Sequence, residues 1–551
     1  MRVLNSYNCG RTSKETIRRY PNQTITPKGV SHESGNSYYT TKNQKNTVSL
    51  GFTLKGPVSD ISVNLVCRNP AYDLSCPFQC TVTSGQVTAS LDVSSLTLAD
   101  GDWDVVVSIP GEAPLSTILG GKLRARLLLG NYRIIKDQKI LFPMGSVGHR
   151  FILRCRPLSP YDHGFTRFKE FAAFGLSRIL KPFFKKKHLW LVYEKYCVSA
   201  QDNGFYFFQY CMKQLPENRK KNIFFILDKK SAQWNQAQEY NRNVIPFMSF
   251  RHILYLLLAD IYVASDSRLH AYAWQPMPNL ISREINRHDI YFLQHGVLAL
   301  KRVENLFGKN GSSSMTYFTA SSEFEKNIII KEFGYEPEQV PVTGLCRWDV
   351  LKDRSASTSE KSILVMPTWR SWLEEQNEEI FCQSDYYHRY SALLKDPELL
   401  NLLEKQNLKL IFYIHPKLRE HLASFHSDNS HIRLIPFGNT PLNQLLMDCS
   451  MLITDYSSVS WDIYYMEKPI LFYQFDLEQY NETNGSYIDM DKELYGDRCM
   501  TQSELIHLIR EYSQNGFQEK KFYGDMRKHY FAYRDHNNCK RTFDFLIKNG
   551  Y

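Results

Sequence analysis

Hydrophobic and polar positions change period twice along the chain. Between residues 46 and 145, apolar side chains recur at every second position: Val48, Leu50, Phe52, Leu54; Ile61, Val63, Leu65, Cys67; Val87, Ala89, Leu91, Val93; Trp103, Val105, Val107, Ile109; and Leu123, Ala125, Leu127, Leu129. Period two places alternate side chains on opposite faces, so each run predicts a half-buried strand. Asp100-Gly101 and Pro110-Gly111 supply turns between runs. Together they predict a small all-β sandwich over residues 46–150. The segment holds no cluster of acids, histidines or nucleophiles, and its expected role is interaction or spacing. Residues 1–45, polar and without periodicity, are expected to form an extended or poorly ordered lead-in.

The period then lengthens. Phe165, Phe168, Ala172, Leu176, Ile179 and Phe183 fall at helical spacing, and Arg167, Lys169, Arg178, Lys181 and Lys185 to Lys187 surround them with positive charge. Residues 151–187 therefore read as a linker containing a basic amphipathic helix. Such a helix either lies in the headgroup region of an anionic membrane or packs conventionally with a solvated basic end.

From residue 188, short apolar runs alternate with helical patterns. HLWLVY, NIFFILD, ADIYVAS and DIYFLQH form one series, which pauses near Val342 to Asp349; SILVMPTWR, LKLIFYIHP, HIRLIPF, MLITDYSS and PILFYQFD form a second. Strands separated by helices predict βαβ units and parallel sheets. The expected fold class is α/β: two Rossmann-like halves, 188–345 and 346–551, with the cleft between them as the default site.

Composition narrows this picture little. With 43% hydrophobic and 14% aromatic residues, the 551-residue chain can bury a large core, and its net charge of +10 suits an anionic partner without naming one. The twelve cysteines form no CxxC pair and read as buried, reduced thiols. There is no signal-peptide core and no run of ~18 apolar residues, so a membrane is expected to be met from its surface. No GxxxxGK[ST], no GxGxxG and no metal-ligand spacing is present, so neither a cofactor nor a metal is expected.

The candidate chemistry falls where expected strands end, the position at which open α/β sheets bind ligands. His295, in QHGVLALK, follows one strand with a glycine that leaves room for close approach, and imidazole suits proton transfer near neutral pH. In PTWR, Arg370 can clamp a phosphate bidentately and Trp369 can stack on a base or fill a gap. In YIHPK, His415 can donate to a phosphate oxygen or protonate a leaving group. Ser457 and Ser458 stand where MLITD gives way to a helix, a place for either plain capping or anion binding; Asp462, one turn deeper, can accept from a hydroxyl.

Taken in order, QHGVLALK, TGLCRWD, PTWR, YIHPK and ITDYSSVSWDIYYMEKPILFYQFD resemble the CDP-glycerol glycerophosphotransferase family, the teichoic acid and capsule primases and polymerases, over about residues 190 to 545. The resemblance implies a GT-B-like pair of Rossmann-like domains, with the nucleotide held mainly by the second. It implies a peripheral enzyme on the cytoplasmic face of the bacterial membrane that moves glycerol phosphate, or a related polyol phosphate, from a CDP-alcohol to a lipid-linked glycan or polyol-phosphate acceptor and releases CMP. No nucleic acid partner is implied. His295 resembles the family's catalytic base and His415 its second essential histidine. Ser457 and Ser458 resemble the diphosphate cradle, with Asp462 a hydroxyl contact beside it. Arg347 and Arg370 resemble donor-site contacts, and Gly296, Val297, Thr368, Trp369, Tyr413 and Ile414 are carried over as their neighbours in the substrate site. A GT-B glycosyltransferase using a sugar nucleotide is the alternative.

Overall fold

The computed structural model of the chain describes residues 38–39, 46–53, 60–68, 74–111, 115–116, 133–145, 150–185, 187–273, 280–311, 313–373, 378–414, 416–436 and 440–551. The expected strand at Leu123 to Leu129, and nearly all of the polar lead-in, lie outside them. Two compact units are present, residues 1–178 with 273–287 and residues 179–272 with 288–551.

In the first unit the two-residue period becomes two antiparallel sheets. One has four strands in the order Tyr38–Tyr39, Thr47–Thr53, Gln86–Asp92, Gln79–Thr83. The other runs Ser75–Pro77, Ser62–Cys67, Gly101–Ser108, Phe151–Pro157, Lys139–Gly145, Ile134–Lys136. Val48, Leu50, Ala89 and Leu91 of the first share one core with Val63, Leu65, Trp103, Val105 and Leu153 of the second, which makes a sandwich. The strand Phe151–Pro157 lies inside the larger sheet, between Gly101–Ser108 and Lys139–Gly145, although the expected boundary at 150 leaves it out. Its alternation is masked because its polar positions are not solvated. Arg154 is paired with Asp102, and the buried Arg156 donates to Asp162 at 2.6 and 2.7 Å.

Helix α1 (Gly164–Phe184) is built the reverse way from a packed surface helix. Its buried residues are Thr166, Ala173 and Ser177, whereas Phe165 is 71%, Phe168 68%, Ile179 67% and Phe183 69% exposed. Small side chains face inward and Phe165, Phe168, Ile179 and Phe183 face out, while Phe184 packs on the Tyr255 ring. Among the described residues no helix is long and apolar enough to cross a membrane.

The second unit holds two six-stranded parallel sheets. The first contains β1 (Trp190–Tyr193), β2 (Ile223–Leu227), β3 (Val244–Pro246), β4 (Ile261–Ala264), β5 (Asp289–Phe292) and β6 (Tyr317–Phe318), in the order β3-β2-β1-β4-β5-β6. The second contains β7 (Ser362–Val365), β8 (Lys409–Tyr413), β9 (Ile432–Ile435), β10 (Met451–Thr454), β11 (Ile470–Tyr473) and β12 (Asp497–Cys499), in the order β9-β8-β7-β10-β11-β12. All four residues of β1, β4, β7 and β10 are buried. Burial on both faces is why these strands read as apolar runs rather than alternations. In each sheet the strand order reverses beside the first strand, which opens a crevice at the carboxyl ends of β1 and β4 and again of β7 and β10.

Four helices matter for the site: α2 (Asn203–Gln214), α3 (Glu323–Phe333), α4 (Ser460–Tyr465) and α5 (Asn538–Lys548). The Asp202 side chain caps α2 by accepting from the Asn203 N–H. Ser322 caps α3 through the Glu325 N–H, and Gly334, at φ +75°, ends it in the left-handed conformation that glycine tolerates.

The two halves exchange pieces. Val297, Ala299 and Leu300, which follow β5 of the first half, are buried in the core of the second beside Leu364, Leu452, Tyr456 and Tyr480. Cys539 and Leu546 of α5 return to the first half and join Trp190, Phe207 and Phe225. The expected division at 345/346 is therefore crossed in both directions. An amphipathic helix such as α5 carries no mark of which half it covers.

Candidate functional site

Beyond β5 the backbone makes one unusual move. Gln294 has φ +60°, uncommon for a residue with a side chain. Its carbonyl accepts from Asn203 Nδ2 at 2.8 Å, and its amide Nε2 donates to the Thr319 carbonyl and, at 3.1 Å, to Glu325 Oε1. The next residue, His295, is thereby turned outward and is exposed. Its Nδ1 lies 3.3 Å from the Ser265 carbonyl, and the rings of Phe292 and Phe307 meet the imidazole edge-on. A proton on Nδ1 makes that contact a hydrogen bond and leaves the Nε2 lone pair to accept a proton.

Gly296 then meets the second half. A Cβ built on it would stand 2.4 Å from Ser458 Oγ and 2.6 Å from Ser458 Cβ. Only a glycine lets the His295 loop approach the serine turn this closely. Ser457 and Ser458 form that turn after β10, and both are half-buried. The helix opens later than expected, at Ser460, whose N–H and Oγ both donate to the Ser457 carbonyl, at 3.2 and 2.7 Å.

A second histidine stands near the first. After β4, buried Asp266 accepts from the Ser267 N–H at 2.7 Å and lies 3.0 Å from His270 Nδ1, and His270 packs against the Tyr196 ring at 4.1 Å. Burial pushes the Asp266 carboxyl up, but His270, by charge and by hydrogen bonding, leads the neighbouring groups that outweigh it and hold the carboxyl well below the usual carboxylate range.

The charged residues of the second half are organised differently from expectation. Arg370 is fully buried rather than open to a ligand. Its guanidinium donates to Asp476 at 2.6 and 3.1 Å and to the Thr368 carbonyl at 2.7 Å, and pairs with Asp455 at 2.8 Å. Burial lowers its pKa, but the Asp455 and Asp476 carboxylates override that and raise it well above the ordinary value. Asp455 also accepts from the N–H groups of Thr368 and Tyr456. Arg370 thus ties the loops after β7 and β10 together from beneath, with its donors consumed internally.

Arg347 and Asp462 are likewise partners of each other. Arg347 Nε and Nη2 donate to the two Asp462 oxygens at 2.9 and 3.0 Å, Nη1 donates to Asp202 at 3.0 Å, and Trp348 Nε1 adds 2.7 Å to Asp462. Burial acts to lower the Arg347 pKa, and the two carboxylates raise it instead. The Arg347 backbone N–H donates to Asn203 Oδ1 at 2.9 Å. A donor-site contact and a hydroxyl contact were expected; the geometry is a buried bridge from Asp202 to Asp462 that joins the halves.

Among the remaining expected residues, Val297, Tyr413 and Ile414 place their side chains in the core. Thr368 and Trp369 are half-buried at the end of β7, and Lys301 Nζ sits 4.7 Å over the Trp369 ring. His415 lies outside the described residues. The structure therefore brings together His295, Gly296, Ser457 and Ser458, and it withdraws Arg347, Arg370 and Asp462 into the interior.

Several residues at the site were not anticipated. Ser265 and Asp266 follow β4, and the strand-end rule used for the other motifs selects them when it is applied to ADIYVAS. Glu325 carries a signal too: Ser322-x-x-Glu325 is a capping-box spacing. Asn203 has no signal in the sequence, and Lys301, although it closes QHGVLALK, was given no role there.

Residues of this chain align with the minor teichoic acid biosynthesis protein GgaB of Bacillus subtilis (strain 168), 26% identical over 431 residues, covering 75% of this chain and 46% of that protein. They also align with the teichoic acid glycerol-phosphate primase of the same organism, 24% identical over 300 residues, covering 53% of this chain and 71% of the primase. The chain thus spans about half the length of GgaB. Among solved structures, the wall teichoic acid polymerase TagF superposes with a TM-score of 0.49 at 14% identity, over 70% of this chain and 97% of that one. The model of one family, described as CDP-glycerol:poly(glycerophosphate) glycerophosphotransferase, matches residues 177–548, which include both parallel sheets and every site residue above. The chain belongs to the CDP-glycerol:poly(glycerophosphate) glycerophosphotransferase family.

Proposed function

We propose that this chain transfers glycerol phosphate, or a related polyol phosphate, from a CDP-alcohol to a hydroxyl of a teichoic-acid-type acceptor. The acceptor oxygen attacks the β-phosphorus of the donor. The bond from that phosphorus to the bridging oxygen breaks, CMP departs with the oxygen, and the acceptor proton passes to His295 Nε2. Ser457 and Ser458 hold the diphosphate. Arg347, Arg370 and Asp462 act one layer further back, by fixing the loops on which those residues stand. The observation that carries this reading is the close approach of Gly296 to Ser458, which puts a solvent-facing imidazole beside a serine turn at a strand-end crevice. A positioned base contributes about 10²–10⁴-fold to such a step. The measurement is a product mass spectrum from CDP-glycerol, CDP-ribitol and a UDP-sugar, each with a lipid-linked acceptor. CMP release with growth of the acceptor by one polyol phosphate is expected, and His295→Ala should remove at least about 100-fold of it with the fold intact. Turnover of the UDP-sugar alone overturns the reading.

Helix α1 supplies the surface part of the proposal. Its outward face of Phe165, Phe168, Ile179 and Phe183, flanked by Arg167, Lys169, Arg178 and Lys181, suits the headgroup region of an anionic bilayer. A lipid-linked acceptor would then be met where it resides, on the cytoplasmic side of the membrane.

A further inference from the structure

Glu325 does work that its capping-box position does not require. In such a box the N3 glutamate turns back to the backbone N–H of the N-cap residue. Here Oε2 accepts from the N–H of Ser321, one residue earlier, at 2.6 Å, and Oε1 is sent elsewhere. It accepts from the Leu298 N–H at 2.7 Å and from Gln294 Nε2 at 3.1 Å. Gln294 and Leu298 are the residues on either side of His295-Gly296-Val297, so one carboxylate grips both ends of the loop that carries the histidine. The carboxylate is wholly buried, and the three groups named are all donors. Burial pushes the Glu325 carboxyl up, and these three donors act against it by favouring the ionised acceptor. The grip also holds Gln294 at φ +60°. A non-glycine residue stays in that conformation only where its surroundings over-determine it.

We propose that Glu325 is a positioning residue for His295: its buried carboxylate sets the loop conformation that presents the imidazole to the acceptor hydroxyl. The inference rests on the role of His295 proposed above, while the structural half of it stands independently. Glu325 touches no reacting atom. Its effect falls on the proton-transfer geometry and leaves donor binding, which rests on the other half, unaltered.

The experiment compares the full-length protein with Glu325→Gln and Gln294→Asn. Glutamine keeps the shape of glutamate but turns one acceptor into a donor that faces an N–H. Asparagine tolerates the left-handed backbone better than most residues but is too short to reach Glu325. Three quantities are read: the midpoint of thermal unfolding, kcat and KM for CDP-glycerol, and the rate at which diethyl pyrocarbonate modifies His295, followed by peptide mass spectrometry. Expected for both variants are a kcat lowered at least about tenfold, a KM within about twofold, and an altered His295 modification rate in protein that still unfolds cooperatively. Unchanged kcat and unchanged modification overturn the proposal, and so does a loss that falls on KM. If Glu325→Gln does not fold, Gln294→Asn alone decides. If the unaltered protein does not use CDP-glycerol, the function proposed above fails, and the modification rate still reports whether Glu325 holds the loop.

Discussion

Gly296 and Ser458 approach so closely that the glycine has no room for a methyl group: an added Cβ would sit 2.6 Å from the serine Cβ. The first residue follows β5 of one sheet and the second follows β10 of the other, so this contact sets how far the imidazole stands from the serine turn. Gly296→Ala should lower the unfolding midpoint and reduce activity at least about tenfold, in line with the ~1–3 kcal/mol that overpacking costs. Adding Ser458→Gly removes both clashing atoms and should restore the midpoint without restoring activity. Adding Ser458→Ala leaves the Cβ in place and should restore neither. Recovery with alanine would show that the hydroxyl, not the backbone approach, sets the spacing.

Arg370 separates a ligand-binding role from a buried one. If its part is to join Asp455 and Asp476, Arg370→Met strands two buried carboxylates and should cost about 3–5 kcal/mol of stability, measured by urea unfolding. A direct donor contact would instead leave stability unchanged and raise KM for the CDP-alcohol.

His252 gives the protein a pH dependence of known sign. The side chain is fully buried, and its Nδ1 accepts from the Met248 N–H at 2.9 Å. Burial pushes its pKa down from 6.5 to about 3, against a smaller opposing influence of the Ala271 backbone. Above pH 6.5 the folded and unfolded forms are both neutral and the contribution is complete. As pH falls from 6.5 towards 3 the unfolded chain takes up a proton that the folded one refuses, and stability declines by up to about 1.4 kcal/mol per pH unit. Urea unfolding at several pH values in that range should show the slope. His252→Asn, whose Oδ1 can replace the Nδ1 acceptor, should flatten it.

Helix α1 makes a prediction about relative magnitudes. Each large apolar residue is worth about 1.5–3 kcal/mol on burial, and each basic residue near an anionic surface about 1 kcal/mol. Replacing Phe165, Phe168 and Phe183 with serine should therefore weaken co-sedimentation with anionic vesicles more than neutralising Lys181, Lys185 and Lys187 as glutamine does. The glutamine variant should also depend less on ionic strength. Vesicle binding that survives the serine changes removes α1 from the membrane.

Legibility tracked how local each determinant is. Four strands of the first sheet and five of the second could be read because a buried parallel strand announces itself as a short apolar run, whereas β3, β6 and β12, only two or three residues long, could not; Val48, Leu50 and the other alternating positions reported the sandwich. The strand Phe151–Pro157 was lost because Arg154 and Arg156 look like solvated residues until Asp102 and Asp162 are brought to them. The same blindness explains Arg370, which at a strand end reads as a phosphate clamp, and Arg347, which the resemblance made a donor-site contact; only the tertiary fold brings Asp476, 106 residues from the first, and Asp462, 115 residues from the second, into contact with them. The placement of His295 and the two serines at the ends of β5 and β10 could be read because it follows from strand position alone. Glu325 could not, because its meaning depends on a loop 27 residues upstream.

The burial of Val297, Ala299 and Leu300 in the core of the second half changes how the two halves can move. A two-lobed transferase is readily pictured as a jaw that hinges open to load and shuts to react. Here the segment that follows the histidine is mortised into the opposite lobe, and Tyr480 and Tyr487 bond to it through the Leu300 carbonyl and the Val303 N–H. Swinging the lobes apart would pull apolar side chains into water, at about 1.5–3 kcal/mol for each large one. The distance from the imidazole to the serine turn is consequently tied to a packed interior, and a hinge that opened the lobes would have to break that packing first.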